Sequence, residues 1–217
     1  MNDTITVYTL VAVLLAYLVG AIPTSVWIGR AFFNVDVREH GSGNAGASNT
    51  FRVLGKAAGF PVLFFDIFKG WVAIKTLSIY APYGAGTDAL INFQIAVGLA
   101  AVIGHIFPVY VKFKGGKGIA TLLGVILALH LQAAGIAIGV FLVVFLISRI
   151  VSVGSITAAL SFPFILMLVF KIQTPSLLYF AMAVAVAVLF THQKNIERLL
   201  RKEENRMTLR LKPRSRK

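Results

Sequence analysis

The chain has 217 residues, of which 58% are hydrophobic and only 13% are charged, and it contains no cysteine. Soluble domains carry roughly 25% charged residues, so the composition excludes an ordinary soluble globular domain. The lack of cysteine excludes disulfide bonds, thiolate catalysis and cysteine-ligated metal sites. Several apolar runs approach or exceed the roughly 18 residues that indicate a membrane span. We therefore interpret the chain as an all-α, polytopic integral membrane protein.

The formal net charge is +13, and ten of the 21 basic residues lie within positions 194–217. A basic tail can bind nucleic acid. In a chain this apolar, positive-inside topology and attraction to anionic lipid headgroups explain the charge better. We therefore expect membrane lipid, and no nucleic acid, as a partner. Residues 193–217 are interpreted as a basic amphipathic cytoplasmic tail, helical as far as Arg206.

The first apolar run, residues 5–28, is too long for a secretory signal and lacks a basic amino-terminal region, so we interpret it as a retained first helix. The second run, residues 57–80, contains Asp66 and Lys69, which share a helix face at i, i+3. A charged pair inside a span is expensive and usually faces the bundle interior or an aqueous cavity. A helix-locking ion pair and a role at a functional site both remain open.

A third run covers residues 90–111, and residues 119–148 then form one apolar run of about 30 residues. If that long run crossed only once, the two runs after it would leave the basic tail outside the cell. Two short crossings that turn near His130 put Arg149 and the tail inside. We therefore predict seven transmembrane helices, with the amino terminus outside and the carboxyl terminus cytoplasmic. The transmembrane catalytic domain is residues 1–192, with cytoplasmic loops at 30–56, 112–118 and 148–152.

Two glycine-rich loops carry most of the polar residues. In loop 1, residues 41–49, every side chain is small or a neutral hydrogen-bonding group. Its backbone N–H groups and its Ser and Asn side chains can line an anion site, although a mobile surface loop is an alternative. Loop 2, residues 112–118, combines three lysines with three glycines, a combination typical of phosphate binding. It is not a Walker A loop, because no Ser or Thr follows Lys117.

A third polar motif follows the last apolar run, where His192 and Asn195 are i, i+3 neighbours. In the predicted topology all three motifs fall on the cytoplasmic face, which indicates one site for a phosphorylated substrate. A transporter of organic phosphate is the alternative from another class. An odd helix count, no visible inverted repeat and polar motifs at one face argue against it. A lipid-binding protein without catalysis leaves the glycine loops unexplained.

Together the motifs resemble a known family. Gly-Ser-Gly-Asn-x-Gly-Ala-Ser-Asn, His-x-Phe-Pro with Phe-Lys-Gly-Gly-Lys-Gly-x-Ala-Thr, and His-x-x-Asn-Ile-x-Arg-Leu are similar, in this order, to the bacterial acyl-phosphate-dependent glycerol-3-phosphate acyltransferases of the PlsY type. The resemblance covers residues 12–204. Ser48 departs from the usual Thr but keeps the hydroxyl.

The resemblance implies transfer of a fatty acyl group from acyl phosphate to the 1-hydroxyl of sn-glycerol 3-phosphate. The products are lysophosphatidic acid and inorganic phosphate, and the step opens phospholipid biosynthesis. It also implies a multi-pass protein of the bacterial inner membrane with its active site facing the cytoplasm. We expect a monomer, and neither a metal ion nor a cofactor.

The resemblance also implies roles for single residues. Ser42 and Arg52 would hold phosphate, and Lys117 would bind phosphate and stabilise charge. His192 and Asn195 would contact the glycerol phosphate. Supporting contacts to substrate or phosphate are expected from Gly43, Asn44, Ser48, Asn49, Lys69, Gly115, Gly116 and Gly118.

The general base is open between His192, whose unperturbed pKa suits proton abstraction near neutral pH, and a phosphate oxygen of the substrate. We favour the phosphate oxygen. The His-x4-Asp signature of acyltransferases that use acyl-CoA or acyl carrier protein is absent, because no histidine has aspartate five residues later. Its absence disfavours that mechanism.

Overall fold

The structure is a computed structural model that describes residues 2–207, with side chains from residue 5 onward. Every regular element among these residues is helical, which confirms the all-α prediction for them. Short 3-10 turns occupy Val37–Glu39 and Val109–Val111, and a π-helical segment, Ile165–Val169, extends the eighth helix. The α-helices are α1 (Asn2–Gly20), α2 (Thr24–Phe33), α3 (Ala47–Leu54), α4 (Lys56–Ile79), α5 (Asp88–Ile106), α6 (Ile119–Leu129), α7 (Leu131–Ser148), α8 (Val151–Phe164), α9 (Pro175–Thr191) and α10 (Gln193–Leu200).

The described helices make this a multi-pass membrane protein. Five helical segments are long and apolar enough to cross a membrane: Ile5–Phe33, Lys56–Ile79, Asp88–Val111, Leu131–Ser148 and Val151–Val169. A sixth is added if α9 and α10, which meet at 60°, count as one span. The apolar helix α6 is shorter than the others. By length and composition there are thus five or six candidate spans, where the charge pattern predicts seven.

The first span contains a break that its continuous apolar pattern does not predict. α1 ends at Gly20 and α2 begins at Thr24, directly after Pro23. Proline has no backbone N–H to continue the helical hydrogen bonding, which favours a break at this point. At the end of α1, a Cβ atom on Gly20 would lie 2.0 Å from the backbone oxygen of Ala101 in α5. The break therefore sits where the first span packs closely against α5.

The long apolar run is divided at His130, as predicted. α6 ends at Leu129 and α7 begins at Leu131, and His130 has φ −151° and ψ 89°, which is not helical. Nδ1 of His130 accepts a hydrogen bond from the backbone N–H of Ala133 at 3.2 Å. The side chain therefore caps the amino end of α7, which explains why the helix restarts there.

Close packing of α6 on α4 fixes the position of loop 2. A Cβ atom on Gly124 would lie 1.9 Å from the backbone oxygen of Ile67, and one on Gly70 would lie 2.1 Å from that of Thr121. The two backbones are thus in contact, as small residues permit in membrane helices. Since α6 begins directly after loop 2, this contact anchors the loop at its carboxyl end.

Candidate active site

Loop 1 is organised around the buried side chain of Asn49, which is 1% exposed. Its Oδ1 accepts the backbone N–H of Ser42 at 2.8 Å. Its Nδ2 lies 2.7 Å from the backbone oxygen of Val37 and 3.1 Å from those of His40 and Asn44. Through these four hydrogen bonds Asn49 ties the loop to the segment before it, which favours an ordered loop over a mobile surface loop.

The remaining predicted residues of this region surround Asn49. Ser42, Gly43, Ser48 and Arg52 are exposed, and Asn44 is half-buried. Gly43 has φ +72°, a conformation that glycine adopts without strain. α3 begins just after Gly46, so its free backbone N–H groups lie at the end of loop 1. The loop thus presents hydroxyl groups and backbone amides, with Arg52 carried on α3.

Loops 1 and 2 are joined by hydrogen bonds. The backbone N–H of Ala45 donates to the oxygen of Gly115 at 3.4 Å, and the Arg38 guanidinium donates to the oxygen of Val111 at 3.1 Å. Arg38 also pairs with Asp36 at 2.7 Å, and its hydrogen bonds hold the pKa of the Asp36 carboxyl well below its usual range. The charged pair therefore ties the segment just before loop 1 to the residue just before loop 2.

Lys117 extends from loop 2 to the third motif. Its ammonium donates a hydrogen bond to the side-chain oxygen of Asn195, 78 positions later in the chain. Burial lowers the pKa of Lys117 to about 8; the Glu204 carboxylate opposes this shift, and the Arg198 and Arg52 charges add to it. Arg52 and Lys117 therefore lie within electrostatic reach of each other, although they belong to different motifs. Of the neighbouring glycines of loop 2, Gly115 is half-buried, and Gly116 and Gly118 are buried.

His192 lies between α9 and α10, which meet at 60°. Its Nδ1 lies 2.9 Å from the backbone oxygen of Val188. Because a carbonyl oxygen only accepts, Nδ1 carries the proton in this arrangement, and in the neutral ring Nε2 is the acceptor. Lys117 and Glu204 both act electrostatically on His192, so the imidazole belongs to the same cluster.

Glu204 and Ser152 belong to this cluster, although the motifs did not predict them. The Glu204 carboxylate accepts hydrogen bonds from Asn195 Nδ2 at 2.5 Å, Arg198 Nε at 2.7 Å and the Ser152 hydroxyl at 3.0 Å. Its side chain is only 6% exposed. Burial alone would raise the pKa of Glu204, but these three hydrogen bonds hold it below its usual value. For Glu204, the sequence signal was a pair of acidic residues within a basic tail.

The same contacts correct the predicted length of the last helix. α10 ends at Leu200, well before Arg206, and Lys202 adopts a left-handed conformation with φ +59°. The chain then folds back: Glu203 N–H donates to the oxygen of Arg198 at 2.7 Å, and Met207 N–H to that of Arg149 at 2.8 Å. The turn delivers Glu204 to the cluster, which a continuous helix would not do. Residues 208–217 of the predicted tail lie outside the described residues.

Lys69 is not among the residues gathered around Lys117. Its ammonium lies 2.7 Å from Asp66 Oδ1 and donates to the backbone oxygen of Ile22 at 2.9 Å. The side chain is 5% exposed. The structure therefore contains the Asp66–Lys69 ion pair, buried in the helix bundle. Contact between Lys69 and substrate remains a prediction.

Known proteins match this chain over nearly its whole length. The sequence model of the family described as glycerol-3-phosphate acyltransferase matches residues 10–202. The glycerol-3-phosphate acyltransferase of Chlorobaculum tepidum is 41% identical over 223 residues, which cover 92% of this chain and 96% of that protein. The one from Endomicrobium trichonymphae is 38% identical over 197 residues, covering 91% of this chain and 94% of that protein.

Two crystal structures of PlsY, an integral membrane glycerol 3-phosphate acyltransferase, resemble this one. The glycerol 3-phosphate form has a TM-score of 0.81 at 37% identity, covering 92% of this chain and 96% of that one. The lysophosphatidic acid form has a TM-score of 0.78 at 36% identity, covering 92% and 95%. The chain therefore belongs to the glycerol-3-phosphate acyltransferase family and is an integral membrane acyltransferase.

Proposed function

We propose that this protein transfers a fatty acyl group from acyl phosphate to the 1-hydroxyl of sn-glycerol 3-phosphate, giving lysophosphatidic acid and inorganic phosphate. The observation that carries the proposal is the contact between Lys117 and Asn195, with Arg52 and His192 in electrostatic reach. Residues of three separate motifs thus form one cationic site, and both substrates carry phosphate. The named ligands of the PlsY structures, glycerol 3-phosphate and lysophosphatidic acid, support the acceptor and the product.

The residues of the cluster suit distinct roles. Arg52 offers a planar guanidinium for bidentate phosphate recognition, and Ser42 offers a hydroxyl from loop 1. Lys117 supplies a point charge where negative charge develops on the reacting groups. His192 and Asn195 are assigned to the glycerol phosphate, with Ser152 and Glu204 behind Asn195. In loop 2, the backbone N–H groups of Gly115 and Gly118 are assigned to phosphate oxygens, whereas that of Gly116 donates to the oxygen of His105.

The chemistry needs no covalent enzyme intermediate, because acyl phosphate is a mixed anhydride with a good leaving group. The 1-hydroxyl oxygen attacks the acyl carbon, a new C–O ester bond forms, and the C–O bond to phosphate breaks. The hydroxyl proton passes to an oxygen of a substrate phosphate group. Inorganic phosphate is the leaving group. The enzyme's contribution is then to hold two anions together in the reactive geometry and to neutralise developing charge.

The surroundings of Glu204 argue against this carboxylate as the general base. Glu204 is the carboxylate of the cluster, but its oxygens are occupied by Asn195, Arg198 and Ser152, and its pKa is held low. A carboxylate stabilised in this way is a poor proton acceptor. His192 has one ring nitrogen free for the role, so the choice lies between it and the substrate.

We propose seven crossings, with the amino terminus outside: the five long candidate spans, the bent pair of α9 and α10 as a sixth, and the short helix α6 as a seventh. Loop 1, loop 2 and the Ser148–Ser152 turn then face the cytoplasm of a bacterial inner membrane, as the positive-inside rule favours. Residues 1–192 form the catalytic domain and residues 193–217 a basic cytoplasmic tail. The hydrogen bonds of Asn195 and Glu204 make the start of that tail part of the site. We propose that the protein acts as a monomer.

The donor is tested by supplying purified protein in detergent with labelled glycerol 3-phosphate and one of three donors: acyl phosphate, acyl-CoA or acyl carrier protein loaded with the same chain. We expect labelled lysophosphatidic acid with acyl phosphate only. Product formation with acyl-CoA at a comparable rate would overturn the donor assignment. Uptake of glycerol 3-phosphate into vesicles without any product would favour the transporter instead.

A further inference from the structure

A buried charged cluster lies beneath the two loops, with Asp66 at its centre. Asp66 Oδ1 lies 2.7 Å from Lys69 Nζ and 3.5 Å from Nδ1 of His105, and it accepts a 2.7 Å hydrogen bond from the Thr24 hydroxyl. The side chains of Asp66 and His105 are 1% and 6% exposed. The cluster therefore joins α2, α4 and α5, with its charged members Asp66 and Lys69 buried.

Stability alone is a weak reason for such a cluster. Removing charges from water is unfavourable, and replacing a buried ion pair with apolar residues of similar size is often neutral or stabilising. Ionisable groups within membrane helices usually serve a functional site. The position of this cluster relative to the phosphate loops therefore carries more information than its energy.

Loop 2 rests directly on His105. The backbone N–H of Gly116 donates to the oxygen of His105 at 3.2 Å. A Cβ atom on Gly115 would lie 2.1 Å from that oxygen, and one on Gly116 would lie 2.4 Å from Nε2 of the His105 ring. There is thus no space for a side chain between the histidine and the loop. Because Lys117 is the next residue, a shift of the ring moves the residue that carries the site's ammonium group.

A small cavity separates the cluster from the loops. Its volume is about 10 Å³, and its lining includes Asp66, Lys69 and His105 from below and Ala45 and Gly115 from above. Oδ2 of Asp66 is fully buried and has no hydrogen-bond partner within residues 2–207. The volume is close to that needed for one water molecule, and the charged lining offers it several partners.

We propose that Asp66 and His105 are positioning residues for the phosphate site. Asp66, together with one water bound in the cavity at its Oδ2, holds the His105 ring under Gly116 and so fixes the location of Lys117. Neither side chain touches a substrate. The inference rests on the proposed function, since it describes how that site is kept in place.

Substitutions of His105 test the inference. His105→Asn keeps a donor near the position of Nδ1, whereas His105→Leu fills similar volume without one. We expect His105→Leu to lose about 10- to 100-fold in kcat/KM, because displacing a reactive group by a fraction of its size has this effect. We also expect weaker binding of inorganic phosphate in calorimetry. His105→Asn should retain most of both, with the two variants unfolding at similar temperatures.

A second pair guards against a variant that fails to fold. Thr24→Val removes one hydrogen bond to Asp66 without changing any charge, and Thr24→Ser restores the hydroxyl. Thr24→Val should lose kcat/KM and phosphate binding as His105→Leu does, but to a smaller extent. Thr24→Ser should match the wild type in both. Tyr17→Phe is the matched control, because it removes the hydrogen bond from α1 to the oxygen of Phe107, at the same end of α5, without touching Asp66 or His105. It should leave activity unchanged.

Equal losses in His105→Leu and His105→Asn, or full activity in His105→Leu, would overturn the positioning role. A crystal structure that shows ordered water should contain one molecule within hydrogen-bond distance of Asp66 Oδ2, and a dry cavity would remove the water from the proposal. Failure of the proposed function can be told apart from failure of the positioning role, because the wild type would then show no acyl transfer. Phosphate binding by the two His105 variants would still report on positioning.

Discussion

The Glu204 carboxylate lies 2.5 Å from the side-chain nitrogen of Asn195, and the oxygen of the same amide accepts a hydrogen bond from Lys117. An ionised carboxylate only accepts hydrogen bonds and an ammonium group only donates them. The Asn195 amide can therefore satisfy both neighbours in one orientation and not in the flipped one. Glu204 thus fixes the orientation of a predicted substrate-binding group from behind.

Replacing Glu204 by Gln should reduce activity. The change keeps the size of the side chain but removes the charge that accepts from Arg198 and Asn195. Since hydrogen bonds to charged groups contribute about 1.5–3 kcal/mol, we expect kcat/KM to fall roughly tenfold or more. The matched control is Glu203→Gln, because Glu203 is exposed. Equal activities of the two variants would contradict the role of Glu204.

Activity should fall as the pH rises through about 8. Burial lowers the pKa of Lys117 from 10.5 to about 8, so the free enzyme loses this ammonium in mildly alkaline solution. The profile of kcat/KM reports groups of the free enzyme and should show this limb. The residual activity of Lys117→Arg should show no fall near pH 8, because arginine stays charged. An unchanged alkaline limb in that variant would assign it to another group.

The effect of Lys117 on stability has the opposite sign. Between pH 8 and pH 10.5 the unfolded chain binds more protons at this residue than the folded protein does. Its contribution to the free energy of unfolding therefore rises with pH across that window while activity falls. Thermal unfolding of wild type and Lys117→Met at pH 7.5 and 10 measures it. A wild-type stability that fell relative to the variant would contradict the sign.

Ser42→Ala and Asn49→Ala should separate binding from folding in loop 1. The Ser42 side chain is exposed, so its loss should reduce turnover without changing the unfolding temperature. Asn49 is buried and forms hydrogen bonds with four backbone groups, so Asn49→Ala should lower both turnover and the unfolding temperature. Unsatisfied buried groups cost about 1–3 kcal/mol each. A Ser42→Ala protein with wild-type turnover would remove Ser42 from the site.

His192→Ala should chiefly raise the KM for glycerol 3-phosphate. This follows if a substrate phosphate oxygen accepts the proton and the free Nε2 of His192 only binds substrate. Steady-state kinetics with each substrate varied in turn separates KM from kcat. Loss of kcat with glycerol 3-phosphate binding intact would identify His192 as the general base.

Much of the helical architecture could be predicted from the sequence, because charge and the length of apolar runs are local signals. The turn at His130 followed from the positive-inside rule, and the structure has the break at that residue. The break at Pro23 was missed because the apolar run continues through it. The helix end at Leu200 was missed because it depends on Glu204 finding partners in α8 and α10.

The site was predictable only as far as its motifs reach. Lys117, His192 and Asn195 stand in recognisable patterns, and the structure brings them together. Ser152 and Glu204 have no motif, because their roles arise from contacts across 52 positions of chain. The burial of Lys69 likewise depends on the backbone oxygen of Ile22, which belongs to the first span. Neither relation leaves a pattern in neighbouring residues.

The most direct test of the account is phosphate release by the purified protein in detergent. With acyl phosphate and glycerol 3-phosphate both present, we predict release of one phosphate for each lysophosphatidic acid formed. Omitting either substrate, or replacing Lys117 by Met, should reduce release to the rate of spontaneous hydrolysis. Release that does not depend on glycerol 3-phosphate, or acyl transfer without release of phosphate, would contradict the account.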